Sequence, residues 1–217
     1  MFSIDKRKIR SFGRTKSRNI NQNQKLELEK RMETYSPDLE KLSNKVYLDI
    51  GFGYGESTIK LALDNPDVTI IACEAYVNGI ANLIREIEKH KITNIRIFNG
   101  DARLLLEQLK DSSIDKVFVL FPDPWPKKRH HKRRIITLPF LKLIYSKLKT
   151  KGTFLFASDI TSYVEWTLEH IKKSKKFTIS SLDLKDYQEQ PKWWVLTKYQ
   201  QKAIREGRES YFVETTK

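Results

Sequence analysis

Between residues 46 and 158, five short apolar runs alternate with segments whose apolar side chains recur at helical spacing, and no other feature constrains the fold as strongly. The runs are VYLDI at 46–50, VTIIACE at 68–74, NIRIF at 94–98, DKVFVLF at 115–121 and TFLFAS at 153–158. Each is compact and rich in apolar or β-branched residues, as a strand covered on both faces must be. Between them Ile80, Leu83, Ile84 and Ile87 keep helical spacing, as do Leu141, Ile144 and Leu148, and then Val164, Leu168 and Ile171. This order predicts an α/β fold, a mostly parallel twisted sheet with crossover helices on both faces.

Beyond residue 175 the spacing is less regular. FTISSL at 177–182 is a candidate strand, 183–200 reads as a polar and aromatic loop, and ESYFVE at 209–214 is a candidate last strand. A chain of 217 residues is long enough for one sizeable core and short for two. One domain is expected over 21–217. Residues 1–20 carry Lys6, Arg7, Lys8, Arg10, Arg14, Lys16 and Arg18 against Asp5 alone, which predicts a flexible basic arm.

Lys and Arg number 41 against 27 Asp and Glu, a formal charge of +14, so a polyanion is the first partner to consider: RNA, DNA or an anionic membrane. No apolar run approaches the roughly 20 residues that cross a bilayer, and no secretory leader is visible, so a soluble, cytoplasmic protein is expected. Cys73 is the only cysteine, which excludes an intrachain disulfide and disfavours a cysteine-built zinc site. His130 and His131 are adjacent, but His90 and His170 are distant in sequence and no carboxylate cluster accompanies the pair, so no metal is expected. The cations gather on a loop and a tail instead of one short recognition helix, which gives a helix-turn-helix reading no support.

The first strand runs directly into DIGFGYGES, residues 49–57, with Gly51, Gly53 and Gly55 at alternate positions. Glycine lets the backbone turn sharply and approach a ligand without a Cβ in the way. A dinucleotide loop would want its third glycine one residue later, where Glu56 stands, and an acidic residue at a helix start disfavours a bound phosphate. The spacing therefore favours S-adenosyl-L-methionine. Glu74 ends the second strand, where a carboxylate accepts from ribose hydroxyls, and Asp101 follows the third, placed for an adenine amino group. Either carboxylate alone would be read as a helix cap or a solvated loop residue. Their order along successive strand ends, with Asp49 and the glycine loop, makes a cofactor site the stronger reading. Asp49 is a candidate either for the cofactor or for fixing the loop through backbone amides.

The fourth strand ends in LFPDPWPKKRHHKRR, residues 120–134. Pro122 and Pro124 present the Asp123 carboxylate on a stiff extended segment, Trp125 supplies an aromatic face, and six Lys or Arg follow within ten positions. A charge run is commonly just a solvated face. Beside a methyl donor, a stiff carboxylate with an aromatic ring and cations suits a flipped purine and its phosphates. No Asp/Asn-Pro-Pro-aromatic run of the exocyclic-amine methyltransferases is present.

The glycine loop, FPDPWPKKRHHKRR, ASD at 157–159 and TKYQ at 197–200 resemble, in order, the signatures of the single-chain tRNA (guanine-N7-)-methyltransferases. RSFGRTKSR in the basic arm is similar to that family's N-terminal segment. The resemblance implies a class I methyltransferase fold of Rossmann-like type and methylation of the variable-loop guanine, position 46 in tRNA numbering. It also implies cofactor contacts from Asp49, Gly51, Gly53, Gly55, Glu74, Asp101 and Asp123, a catalytic role for Asp123, and substrate contacts from Lys127, Asp159, Thr197, Lys198, Tyr199 and Gln200. The family motif usually ends in Glu where this chain has Gln200, an amide without a charge to pair with a guanine edge. On the residues alone, TKYQ is a loop leading into a helix. The expected partner is tRNA, with no membrane and no sign of an obligate protein partner. Other readings are a methyltransferase for another structured RNA or a small nucleotide, or a non-catalytic RNA-binding protein of the same fold.

Overall fold

Runs of consecutive buried residues mark the strands as covered on both sides, because successive side chains of a strand point to opposite faces. Leu48, Asp49 and Ile50 are buried in sequence, as are Ile70 to Cys73 and Phe154 to Ser158. The structure is a computed structural model that describes residues 22–179 and 181–217. The proposed arm at 1–20 lies outside the described residues. The strands form a mostly parallel six-stranded sheet, and the chain divides into two compact units, Met1–Gln108 and Leu109–Lys217.

In the first unit the elements are α1 (Gln22–Tyr35), β1 (Val46–Ile50), α2 (Glu56–Asp64), β2 (Thr69–Glu74), α3 (Val77–His90), β3 (Ile95–Asn99) and α4 (Ala102–Gln108). Its strands run parallel in the order β3-β2-β1. Ile80, Leu83, Ile84 and Ile87 form the buried face of α3, as their spacing predicts. Helix α1 has no counterpart in the sequence reading. Its apolar side chains are too few for a clear period: Leu28 is buried, Leu26 is exposed, and Arg31 reaches Glu88 of α3 at 3.1 Å.

The second unit holds β4 (Ile114–Leu120), α5 (Leu138–Lys147), β5 (Leu148–Ser158), α6 (Thr161–Ser174), α7 (Lys198–Arg205) and β6 (Tyr211–Thr216). β5 pairs parallel with β4 and antiparallel with β6. Leu148 departs from the helical reading. It caps α5 through its N–H to Ile144 O and starts β5, pairing with Ile114, so this strand begins five residues earlier than its apolar run. Among its described residues FTISSL supplies a single bridge, Thr178 to Thr216, and the last strand lies two residues beyond ESYFVE's start. The segment 183–200 contains a short 3-10 turn at Leu184–Tyr187 before α7.

Candidate active site

Ile50, Cys73 and Phe98 are register partners, so β1, β2 and β3 end side by side and the segments that follow them share one edge. The loop after β1 has left-handed backbone at Gly51, Gly53 and Gly55, with φ of 75°, 60° and 88°. A side chain would be strained at each of these positions. Glu74 grips the loop: its Oε2 accepts from the Gly53 N–H at 3.0 Å, and Oε1 accepts from Ala75 and Tyr76 at 2.7 and 3.0 Å. Helix α3 closes the other side. A Cβ on Gly79 would sit 2.1 Å from Gly53 O, and Asn82 Nδ2 donates to Tyr54 O at 2.7 Å.

The sequence placed four groups here, and the structure brings all four to this edge in unequal states. A carboxylate offers about four lone-pair sites, so Glu74, with three amides bound, keeps about one for a ribose hydroxyl. Asp101 is held by Arg103, whose Nε donates to Oδ1 at 2.8 Å and Nη2 to Oδ2 at 2.6 Å. An adenine amino group would therefore meet a carboxylate that is already charge-balanced. Asp49 does not bond the loop amides: Oδ2 accepts from the Thr58 hydroxyl at 2.7 Å, and Oδ1 is buried without a partner. An orphaned acceptor, an unfilled site on Glu74 and open space over Gly51 fit a donor-rich adenosyl amino acid.

Burial raises the Asp49 pKa to about 7, with Glu74 adding to the rise and the Thr58 hydroxyl opposing it. Between the unfolded value near 3.8 and about 7, the folded chain holds a proton that the unfolded chain has released. This group's contribution to stability is therefore complete below the lower value and is lost as pH rises through the upper one. Thermal melts from pH 4 to 8 are expected to show wild type losing stability relative to Asp49→Asn as pH increases. Parallel curves would mean that Asp49 is ionised throughout.

In the second unit Leu120 pairs with Ala157 and Ser158 with Tyr211, so residues 121–134, Asp159 and the start of β6 share an edge. Asp123 lies between two non-glycine residues in the left-handed region, Phe121 at φ 49° and Trp125 at φ 45°. Prolines alone predict an extended segment, and the observed turns on either side cost roughly 1–3 kcal/mol each. Asp123 is exposed, yet partial desolvation lifts its carboxyl pKa above 3.8. Arg133 lies over the Trp125 ring at 4.8 Å, and Lys127, Lys128, Arg129 and Lys132 are exposed.

Asp159 accepts from Arg208 Nε at 2.8 Å, and Arg208 also pairs with Glu206. Within TKYQ the four positions separate. Thr197 Oγ1 caps α7 by accepting from the Gln200 N–H, and the buried Gln200 accepts from the Trp194 indole N–H. Lys198 and Tyr199 are exposed. The sequence reading missed Arg103, Gly79, Asn82, Trp194 and Arg208. Only Arg103 left a local signal, two residues after Asp101 at the start of a helix. Among the described residues no cluster of three or more His, Cys, Asp or Glu is placed to hold a metal ion, and no helix is long and apolar enough to cross a membrane.

Residues 43–213 match a family model described as "Putative methyltransferase". The tRNA (guanine-N(7)-)-methyltransferase of Neorickettsia sennetsu is 43% identical over 72% of this chain and 72% of its own length. The protein of that name from a Ruegeria species is 37% identical over 93% and 85%. A solved rRNA methylase from Streptococcus thermophilus superposes with a TM-score of 0.55 at 13% identity, covering 88% of this chain and 94% of its own, a likeness of fold alone. That fold is the Rossmann-like one of class I methyltransferases, and the glycine loop and the PDPW segment lie within the matched span. By its sequence, the chain belongs to the tRNA (guanine-N(7)-)-methyltransferase family.

Proposed function

We propose that this chain transfers a methyl group from S-adenosyl-L-methionine to N7 of a guanine in tRNA, and that the guanine is position 46 of the variable loop. The observation that carries the reading is the segment at 121–134, where a carboxylate on strained backbone adjoins an aromatic ring and four exposed cations, in a chain of this family. When bound, the cofactor supplies an electrophilic methyl group on a sulfonium. Guanine N7 has an in-plane lone pair, so the protein need not create a nucleophile and its main task is alignment. Asp49, the glycine loop, Glu74 and Asp101 would hold the cofactor. Asp123 stabilises the positive charge that methylation places on the purine, and its carboxylate can also take up a proton from the ring. Lys127, Lys198 and Tyr199 face substrate, while Thr197 and Gln200 act through the α7 cap and Trp194. Asp159 reaches substrate only by sharing or releasing Arg208. A tRNA substrate supports a cytoplasmic protein.

The test is incubation with tritiated S-adenosylmethionine and unmodified tRNA, followed by nucleoside analysis. Label in 7-methylguanosine is expected, and sequencing of labelled oligonucleotides from a partial nuclease digest should map it to position 46. Label in another nucleoside would replace the reading, and tRNA binding without label would leave a non-catalytic RNA-binding protein. Residues 1–18 are expected to act as a cationic arm on the tRNA. Deleting them should reduce the slope of log affinity against log salt, since each lost phosphate contact removes about 0.7–0.9 of slope. An unchanged slope would make the arm a bystander.

A further inference from the structure

Six Lys and Arg lie in 127–134, and one of them behaves unlike the rest: Arg134 is only 2% exposed. Its Nε donates to Pro124 O at 2.9 Å, Nη1 to Ser162 O at 3.0 Å and Nη2 to Ser162 Oγ at 3.4 Å. The guanidinium lies over the rings of Tyr163 at 4.6 Å and Trp166 at 5.3 Å. Among the described residues no carboxylate pairs with it. A buried cation without a counter-ion is costly, and here neutral carbonyls and aromatic faces offset that cost. This arrangement ties the loop that carries Asp123 to the start of α6.

We infer that Arg134 is a positioning residue for the reaction: it holds the Asp123–Pro124 segment in its strained conformation and makes no contact with RNA. Pro124 follows Asp123 directly and lies between the left-handed residues Phe121 and Trp125, so its carbonyl is an effective point at which to fix the carboxylate. A planar fork is required, because one side chain must reach the acceptors on Pro124 and Ser162 together, and an ammonium on a flexible stem has no such fork. The inference rests on the methyl-transfer reading above. It divides the basic run into four exposed cations, available to phosphate, a half-buried Arg133 over Trp125, and one interior fastener.

The test uses the full chain and Arg134→Lys, which keeps the charge and loses the fork. At saturating cofactor and tRNA the single-turnover rate is expected to fall about 100-fold, the scale of a misplacement near 1 Å, with tRNA affinity and its salt slope unchanged. A wild-type rate together with a slope lowered by about one would overturn the inference and make Arg134 a phosphate contact. Should Arg134→Lys fail to fold, Trp166→Phe trims the ring beneath the guanidinium. A rate several-fold lower at an unchanged slope is then expected, and a wild-type rate overturns the inference. Wild type that methylates no tRNA would instead sink the functional reading, which separates the two failures.

Discussion

Asp123→Asn is expected to lower the single-turnover rate by at least about two orders of magnitude while tRNA affinity changes little. Asn is nearly isosteric and retains an acceptor but carries no charge, so the substitution separates electrostatics from shape. Loss of one preorganised electrostatic stabiliser typically costs 10²–10³ in rate. The fold should survive, because Phe121 N–H donates to Ala157 O at 2.8 Å and Arg134 holds Pro124 O, and neither contact uses the Asp123 side chain. Desolvation lifts the Asp123 pKa above 3.8, so the wild-type rate should fall on the acid side as the carboxylate is protonated, and the Asn variant should lack that limb. Near-normal turnover would leave Asp123 a positioning residue. Loss of cofactor binding with an intact rate at saturation would place its main duty on the methyl donor.

Glu74→Ala is expected to weaken S-adenosylmethionine binding by about 10- to 100-fold, measured by calorimetry, with tRNA affinity intact. One charge-assisted contact to a ribose is worth about 1.5–3 kcal/mol. The structure adds a second loss, because the same carboxylate holds the Gly53 N–H and the two amides that lead into α3. Glu74→Gln divides these roles. Its carbonyl keeps one acceptor oxygen for the amides but brings no charge and no second acceptor, so an intermediate affinity is expected. Unchanged affinity in a folded Glu74→Ala chain would remove Glu74 from the cofactor site.

Gln200 shows where reading the motif alone falls short. As the end of TKYQ it invites comparison with a charged residue facing a guanine, and the missing charge looks like a defect. In the structure the side chain is buried and accepts from Trp194, a task that an amide oxygen performs without the cost of burying a carboxylate. The neighbouring Lys198 and Tyr199 are exposed because the first and fourth positions of TKYQ, Thr197 and Gln200, face inward at the start of α7 and the two between them face outward. The helix could be foreseen from the sequence, but not the identity of the partner of position 200, since Trp193 and Trp194 lie in a loop with no regular spacing.

The sequence by itself determined the parallel α/β order, the glycine loop and the row of carboxylates at strand ends. These follow from local periodicity and from residue chemistry a few positions apart, and the strand register then sets them side by side. Tertiary structure decided which of those groups had partners and which remained available. Glu74 is engaged by an amide 21 residues away, Asp159 by an arginine 49 away, and Pro124 O by an arginine that also reaches across 28 residues to Ser162. Hydrogen bonds and burial are properties of atoms brought together by folding, so a run of six cations looks uniform in the chain until packing draws Arg134 inside and leaves Lys127, Lys128, Arg129 and Lys132 in water.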